Sequence, residues 1–228
     1  MDKKAWIIFS VIVVALLGGL IYLSSKNKVD VSNVNTDQIF AASEQNGNIA
    51  DHVFGKKDSK IVLVEYGDFQ CPGCAGAHTR IKAISEEYKD RIAFVFRNFP
   101  LTTIHPNARA ASAAVEAAGL QEKYWEMHNI VYENQDNWKD ASTTERDAFF
   151  TQYAIEAGAD KDQFTKDLAS TSITKKITFD QALGKKLSVS GTPTFYLNGT
   201  LVDGDVTNDI IQSDGSQLKS LIDEALKK

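Results

Sequence analysis

The two cysteines in this 228-residue chain stand together, as Cys71-Pro72-Gly73-Cys74. With no third cysteine there is no framework of structural disulfides, so the C-x-x-C reads as a working dithiol. It follows Ile61-Val62-Leu63-Val64, an apolar run of the kind buried on both faces of a sheet. After it, Cys74, Ala77, Ile81, Ile84 and Tyr88 recur at helical spacing, and Ile92 to Phe96 reads as a second strand. The pattern predicts a β-α-β unit with the dithiol where strand hands over to helix. A helix beginning at Cys71 aims unpaired N–H groups and a positive dipole end at its sulfur, favouring thiolate over thiol. Pro72 suits that first turn, where its missing N–H would have been unpaired anyway. Cys74, one turn inside, is shielded. Cys71 is thus the candidate attacking thiol and Cys74 the resolving one.

Two other uses of the pair are weaker. Zinc could take Cys71, Cys74 and His78, but it would need a fourth ligand from His52, His105, His128 or a carboxylate, and nothing has paired zinc-finger spacing. Haem attachment is excluded because Ala75, not His, follows Cys74. No nicotinamide, flavin or metal motif occurs, so no cofactor is expected and the dithiol itself is the redox group. His128 reads as a satisfied core residue, His78 as a residue that could tune the dithiol, His105 as the entry to the following segment and His52 as solvated.

From Asn107 to Ser188 strand signals nearly vanish. Ala108 to Leu120 is alanine-rich; Tyr124, Trp125, His128, Val131 and Tyr132 share a helical face; Ser142-x-x-Glu145 is a capping box; Asp160-x-x-Gln163 starts another helix and Ile173 to Leu187 a further one. Strand character returns at Thr194 to Leu197. Asn198-Gly199 then predicts a hairpin into Thr200-Leu201-Val202, since both turn positions need positive φ. A final amphipathic helix carries Leu218, Leu221, Ile222, Ala225 and Leu226.

The N-terminus differs from this body. Ala5 to Ser25 is 21 consecutive uncharged residues, about 30 Å of helix and enough to cross a bilayer. Residues 1–25 are therefore expected to be an uncleaved transmembrane anchor, its short N-terminal tail in the cytoplasm, ahead of a cleaved signal peptide or a buried core helix as alternatives, and residues 26–58 a polar tether with a short helix at Thr36 to Glu44. The first 28 residues hold four lysines against Asp2, which leaves 21 bases against 29 acids in the remainder. A body so acidic is not expected to bind nucleic acid.

The order β-α-β, helices, β-β-α, with Glu65-Tyr66-Gly67-Asp68-Phe69-Gln70-Cys71-Pro72-Gly73-Cys74 and Gly191-Thr192-Pro193-Thr194, resembles the DsbA-like thiol–disulfide oxidoreductases. The resemblance covers roughly residues 50–228. It implies an α/β fold, a thioredoxin fold over residues 59–228 with a helical insertion at about 105–188. Glu65, on its own residues either a solvated strand-end acid or a buried one, becomes by resemblance an acid beneath the dithiol that relays a proton to or from Cys74. Asp68 would oppose the thiolate if it pointed at Cys71. Pro193, otherwise a strand-start residue, becomes a cis proline facing the dithiol, and Thr192 before it a backbone partner for bound peptide, with Pro72 and Gly73 beside it. The expected function is extracytoplasmic thiol–disulfide exchange, oxidation ahead of reduction or isomerisation. A redox-inactive peptide-binding or chaperone module is the alternative of another class. The expected partners are reduced client proteins with free cysteines and a membrane redox partner that reoxidises the dithiol.

Overall fold

The computed structural model describes residues 3–26 and 29–228; within the first helix it describes the side chains of Trp6 and of residues 9–19. The chain divides into two compact units, 1–30 and 31–228. The first holds α1 (Lys3–Lys26). Its described side chains include exposed Trp6, Phe9, Val11, Ile12, Val14, Leu16 and Leu17. Among the described residues no helix is long and apolar enough to cross a membrane; the expected anchor lies partly outside them.

The second unit runs β1 (Val53–Gly55), β2 (Val62–Gly67), α2 (Pro72–Glu87), β3 (Ala93–Asn98), α3 (Ala108–Gly119), α4 (Tyr124–Glu133), α5 (Gln135–Trp138), α6 (Thr143–Glu156), α7 (Lys161–Leu168), α8 (Thr171–Lys186), β4 (Thr194–Leu197), β5 (Thr200–Leu201), α9 (Gly204–Gln212) and α10 (Ser216–Ala225). Among the described residues the strands form one five-stranded sheet in the order β1-β3-β2-β4-β5. β2 and β3 are parallel and buried throughout, as their apolar runs require, and the other pairings are antiparallel. This is a thioredoxin-like α/β fold, with α3 to α8 inserted between β3 and β4.

Local signals place several helix starts and the hairpin. Ser142 and Glu145 form a reciprocal capping box at α6. Asp160 accepts from the Gln163 N–H at α7. Asn198 and Gly199 have φ of 50° and 75° in the β4–β5 turn, the positive values such a turn demands.

Three expectations are corrected. Residues 31–58 are not a tether but part of the folded unit, with Val31, Phe40, Asn46, Ile49 and Asp51 buried. Thr36 to Glu44 forms turns instead of a helix. Its polar neighbours bind the backbone: Asn46 accepts from the Ser43 N–H at 2.7 Å and donates to the Ala41 carbonyl at 2.8 Å, and Asp51 accepts from the Phe40 N–H at 3.0 Å. Arg97 donates to the carbonyls of Thr36 and Gln38. Three elements add to the predicted order: edge strand β1, the short helix α5, and α9, which is capped by Asp203 and buries Val206 and Ile210.

At the centre of this packing lies a buried ionic cluster. Lys176 donates to Asp51 and Asp180, each at 2.8 Å, and Arg97 reaches Asp51 at 2.9 Å. Burial pushes Asp180 up to about 6 against the pull of Lys176. Asp51 is held low because its two cations outweigh burial.

Candidate functional site

β2 ends at Gly67, and the chain turns through Asp68, Phe69 and Gln70 into α2, with Cys71 as the N-cap and Pro72 in the first turn. The turn is fixed from several directions. The Asp68 carboxylate accepts from the Gln70 N–H at 2.8 Å, the Leu101 N–H at 2.8 Å and the His105 ring at 2.8 Å. It is fully buried on these partners. The insertion braces the same turn, since Gln135 donates to the Phe69 carbonyl at 2.7 Å and the Cys71 carbonyl at 3.1 Å. Gln70 in turn accepts from the Asn107 N–H at 2.7 Å.

Both thiols are free. Cys71 is 8% exposed and Cys74 is enclosed. The Cys71 thiol donates to the Thr192 carbonyl at 3.2 Å. Its pKa is lowered to about 5, chiefly by a hydrogen bond from Cys74, against burial and with help from the N–H groups of Cys74 and Gly73. Cys74 is pushed well above its ordinary value by burial, by its bond to Cys71 and by the nearby Glu65 charge. The two sulfurs therefore differ in the sense that separates an attacking thiolate from a shielded thiol.

Glu65 is the fourth residue of β2 and is buried beneath the dithiol. Burial, then the Cys71 charge, raises its pKa to about 8. The Thr192–Pro193 bond is cis, and Pro193 is buried. A methyl group at Gly73 would sit 3.3 Å from Pro193 Cδ. Cys71, Cys74, Gly73, Thr192 and Pro193 thus converge, with Glu65 below and Pro72 exposed at the rim.

Of the histidines, His52 departs from its sequence reading, while His128 lies in the core and His105 stands just before α3 as expected. His52 is not solvated; it stacks on Tyr124, centroids 3.8 Å apart, and its Nε2 meets Glu116 at 3.0 Å. Its partners lie far along the chain, which hid them. His128 is a core residue but only half satisfied: Nδ1 lies 3.3 Å from Asn129 Oδ1 while Nε2 has no hydrogen-bond partner. His78 stacks on Tyr132, and burial lowers it to about 4. Among the described residues no group of three or more His, Cys, Asp or Glu side chains is placed to hold a metal.

A parallel β-α-β core with a free dithiol at its helix N-terminus, opposite a cis proline, defines a thioredoxin-fold protein-disulfide oxidoreductase. The family described as thioredoxin matches residues 47–214. The chain belongs to that family, as a DsbA-like thiol–disulfide oxidoreductase. It is 32% identical over 227 residues to the probable disulfide bond formation protein D of Bacillus cereus, covering 97% of this chain and 95% of that protein. A 153-residue segment is 38% identical to the Na(+)/H(+) antiporter NhaA 1 of Mycolicibacterium vanbaalenii; it covers 65% of this chain and 23% of that antiporter. The crystal structure of oxidised BdbD from Bacillus subtilis superposes with a TM-score of 0.66 at 21% identity, over 83% of this chain and 98% of that one.

Proposed function

We propose that the chain is an oxidase that donates a Cys71–Cys74 disulfide to extracytoplasmic client proteins. The observation that carries this reading is the seat of Cys71 at the N-cap of α2, against the carbonyl of Thr192 and the cis bond to Pro193, where Cys74 and the donors around it lower its thiol to about 5. Stabilising the reduced dithiol as a thiolate makes the corresponding disulfide a stronger oxidant.

A client thiolate attacks Cys71 Sγ, and the Cys71–Cys74 bond breaks. Cys74 leaves and takes a proton from the Glu65 carboxyl, whose raised pKa keeps that proton at hand. A second client thiolate then attacks the client sulfur of the mixed disulfide, and Cys71 departs as a thiolate. Two electrons pass from the client to the dithiol. Pro72, Gly73, Thr192 and Pro193 form the edge along which the client chain lies. A membrane redox partner later removes the two electrons.

The uncharged run from Ala5 to Ser25 serves as a single-pass anchor that leaves residues 31–228 outside the cytoplasm. The exposed Trp6, Phe9, Val11, Ile12, Val14, Leu16 and Leu17 of α1 support that placement. The test is equilibration of the full chain with glutathione, together with disulfide formation in a reduced two-cysteine peptide. The oxidised protein is expected to oxidise the peptide and to have a potential well above the roughly −270 mV of thioredoxin. A value as low as thioredoxin's overturns the oxidase reading in favour of a reductase.

A further inference from the structure

His105, between β3 and α3, is held by the turn that carries the dithiol. Its Nδ1 stands 2.8 Å from Asp68 Oδ2. The enclosed Asp68 carboxylate also takes the Gln70 and Leu101 N–H groups, each at 2.8 Å, and the Asp68 carbonyl accepts from the Cys71 N–H at 3.0 Å. A carboxylate that gathers N–H groups in this way is an acceptor, so the proton of the neutral His105 ring sits on Nδ1 and the lone pair on Nε2. The His105 side chain is 16% exposed. It lines an open groove of about 570 Å³ with Gln70 and Pro72, the residues on either side of Cys71. The other charged groups facing this groove are Lys139, paired with Asp136 at 2.6 Å, and Asp140, both from the link between α5 and α6. A client cysteine arrives there mostly as the thiol, since an ordinary pKa of about 8.5 leaves about 3% thiolate at pH 7.

We propose that His105 is the general base for the incoming client thiol, with Asp68 as the positioning residue that fixes its tautomer and stabilises the imidazolium. The inference rests on the reading that client thiols attack Cys71. An attacking sulfur must approach Cys71 Sγ opposite the departing Cys74. Cys74 lies one turn inside α2, so that approach comes from beyond the helix N-terminus, where Pro72 and His105 share the groove. The client S–H proton passes to His105 Nε2 while its sulfur bonds to Cys71 Sγ. The Cys71–Cys74 bond breaks, and Cys74 leaves with the electron pair and takes the Glu65 proton. The imidazolium then gives its proton to solvent across the groove. The ring takes the proton of the second client thiol in the same way as that sulfur attacks the mixed disulfide and Cys71 departs as a thiolate. Two electrons pass from client to dithiol, and two client protons pass to solvent through His105.

The test follows acid-quenched oxidation of a reduced two-cysteine peptide by the oxidised full chain at pH 7 and pH 8.5. His105→Asn keeps an N–H donor for Asp68 in the place of Nδ1 and removes the base at Nε2. It is expected to slow oxidation by about tenfold at pH 7, inside the roughly thirtyfold that complete ionisation of the peptide thiol could supply. At pH 8.5, where about half of that thiol ionises unaided, the deficit is expected to shrink to about twofold. The pH midpoint of Cys71 alkylation in the reduced variant is expected to match the wild type. No deficit at pH 7, a deficit equal at both pH values, or a shifted Cys71 midpoint each overturns the base, the last two because they mean that His105 only braces the turn. If the wild type fails to oxidise the peptide at either pH, the oxidase reading falls and takes the base with it; a competent wild type with an undiminished His105→Asn overturns the base alone. Should His105→Asn fail to fold, His105→Ala is measured with free imidazole, which is expected to raise its rate at pH 7, and a rate indifferent to imidazole overturns the proposal.

Discussion

Cys71 Sγ lies 3.2 Å from the carbonyl oxygen of Thr192, a residue 121 positions further along the chain. The sheet brings them together. β2 and β4 pair antiparallel with Tyr66 opposite Thr194, so the turn leaving β2 and the turn entering β4 meet at one end. A protonated Cys71 donates to that carbonyl, but a thiolate cannot. On ionisation the sulfur instead takes the Cys74 hydrogen bond and the N–H groups of the helix start, and the Thr192 carbonyl is left to accept from another chain. An extended client would supply the N–H, in the manner of strand addition, which is the role proposed for Thr192.

Because the Cys74 thiol is the largest single influence lowering Cys71, Cys74→Ala is expected to shift Cys71 alkylation from a midpoint near 5 toward the free-thiol range of about 8.5. Cys74→Ser keeps a donor and should fall between the two. Iodoacetamide alkylation against pH, read by mass spectrometry, gives the midpoints. Identical midpoints for Cys74→Ala and the wild type would mean that the helix N-terminus, not Cys74, sets the acidity.

Glu65 links the site to stability. Its folded pKa of about 8 exceeds its ordinary value of 4.5, so between those pH values the native state binds more protons than the unfolded one. Stability therefore falls as pH rises through that window, by at most ~1.4 kcal/mol per pH unit for one group. Cys71 titrates in the opposite sense and largely cancels when reduced Glu65→Gln is compared with reduced wild type. The variant's stability relative to wild type should thus rise from pH 5 to pH 8 in urea unfolding. A constant difference across that range would place the carboxyl in water.

What could be read in the sequence was local. The dithiol at a strand–helix junction, the Ser142–Glu145 box, the Asp160 cap and the Asn198-Gly199 turn each depend on residues within a few positions, and each stands where the pattern put it. Burial of Glu65 was one of two open readings, since an acid closing an apolar run fits a strand mouth equally well. The segment 31–58 is illegible locally because its polar residues find partners far away: Lys176 is 125 positions from Asp51, and Glu116 is 64 from His52. Composition cannot distinguish a solvated Asp from one that meets a distant lysine in the core. α9 did carry a usable signal, the Asp203 cap followed by Val206 and Ile210, but it was short and adjoined a hairpin.

Gln135 shows how the insertion serves the dithiol. Its amide donates to the carbonyls of Phe69 and Cys71, so Gln135→Leu leaves the Phe69 carbonyl unpaired at similar volume, while the Cys71 carbonyl keeps the Ala75 N–H. The expected loss is ~1–3 kcal/mol, together with faster hydrogen exchange in residues 68–71. A loss under ~0.5 kcal/mol, within the range of an ordinary surface substitution, would show that the turn holds itself.

The segment before β1 is held to the body of the fold by a buried lysine. Lys176 stands between Asp51 and Asp180, and Asp51 also meets Arg97, so one buried lysine ties residues near the start of the folded unit to α8 and the sheet. Lys176→Met removes the cation but keeps much of the stem, leaving two buried carboxylates facing each other. Removing one partner of a buried pair costs ~3–5 kcal/mol. Asp180 already titrates near 6 because burial opposes its charge, and loss of Lys176 raises it further. An acid with a raised folded pKa loses stability as pH rises and regains it on protonation, so the penalty in Lys176→Met should be smaller at pH 5 than at pH 8. Unfolding curves of the full chain at the two values, with limited proteolysis of residues 31–58, make the comparison. A penalty that is equal at both pH values, or larger at pH 5, would mean that Asp180 is not the group left uncompensated.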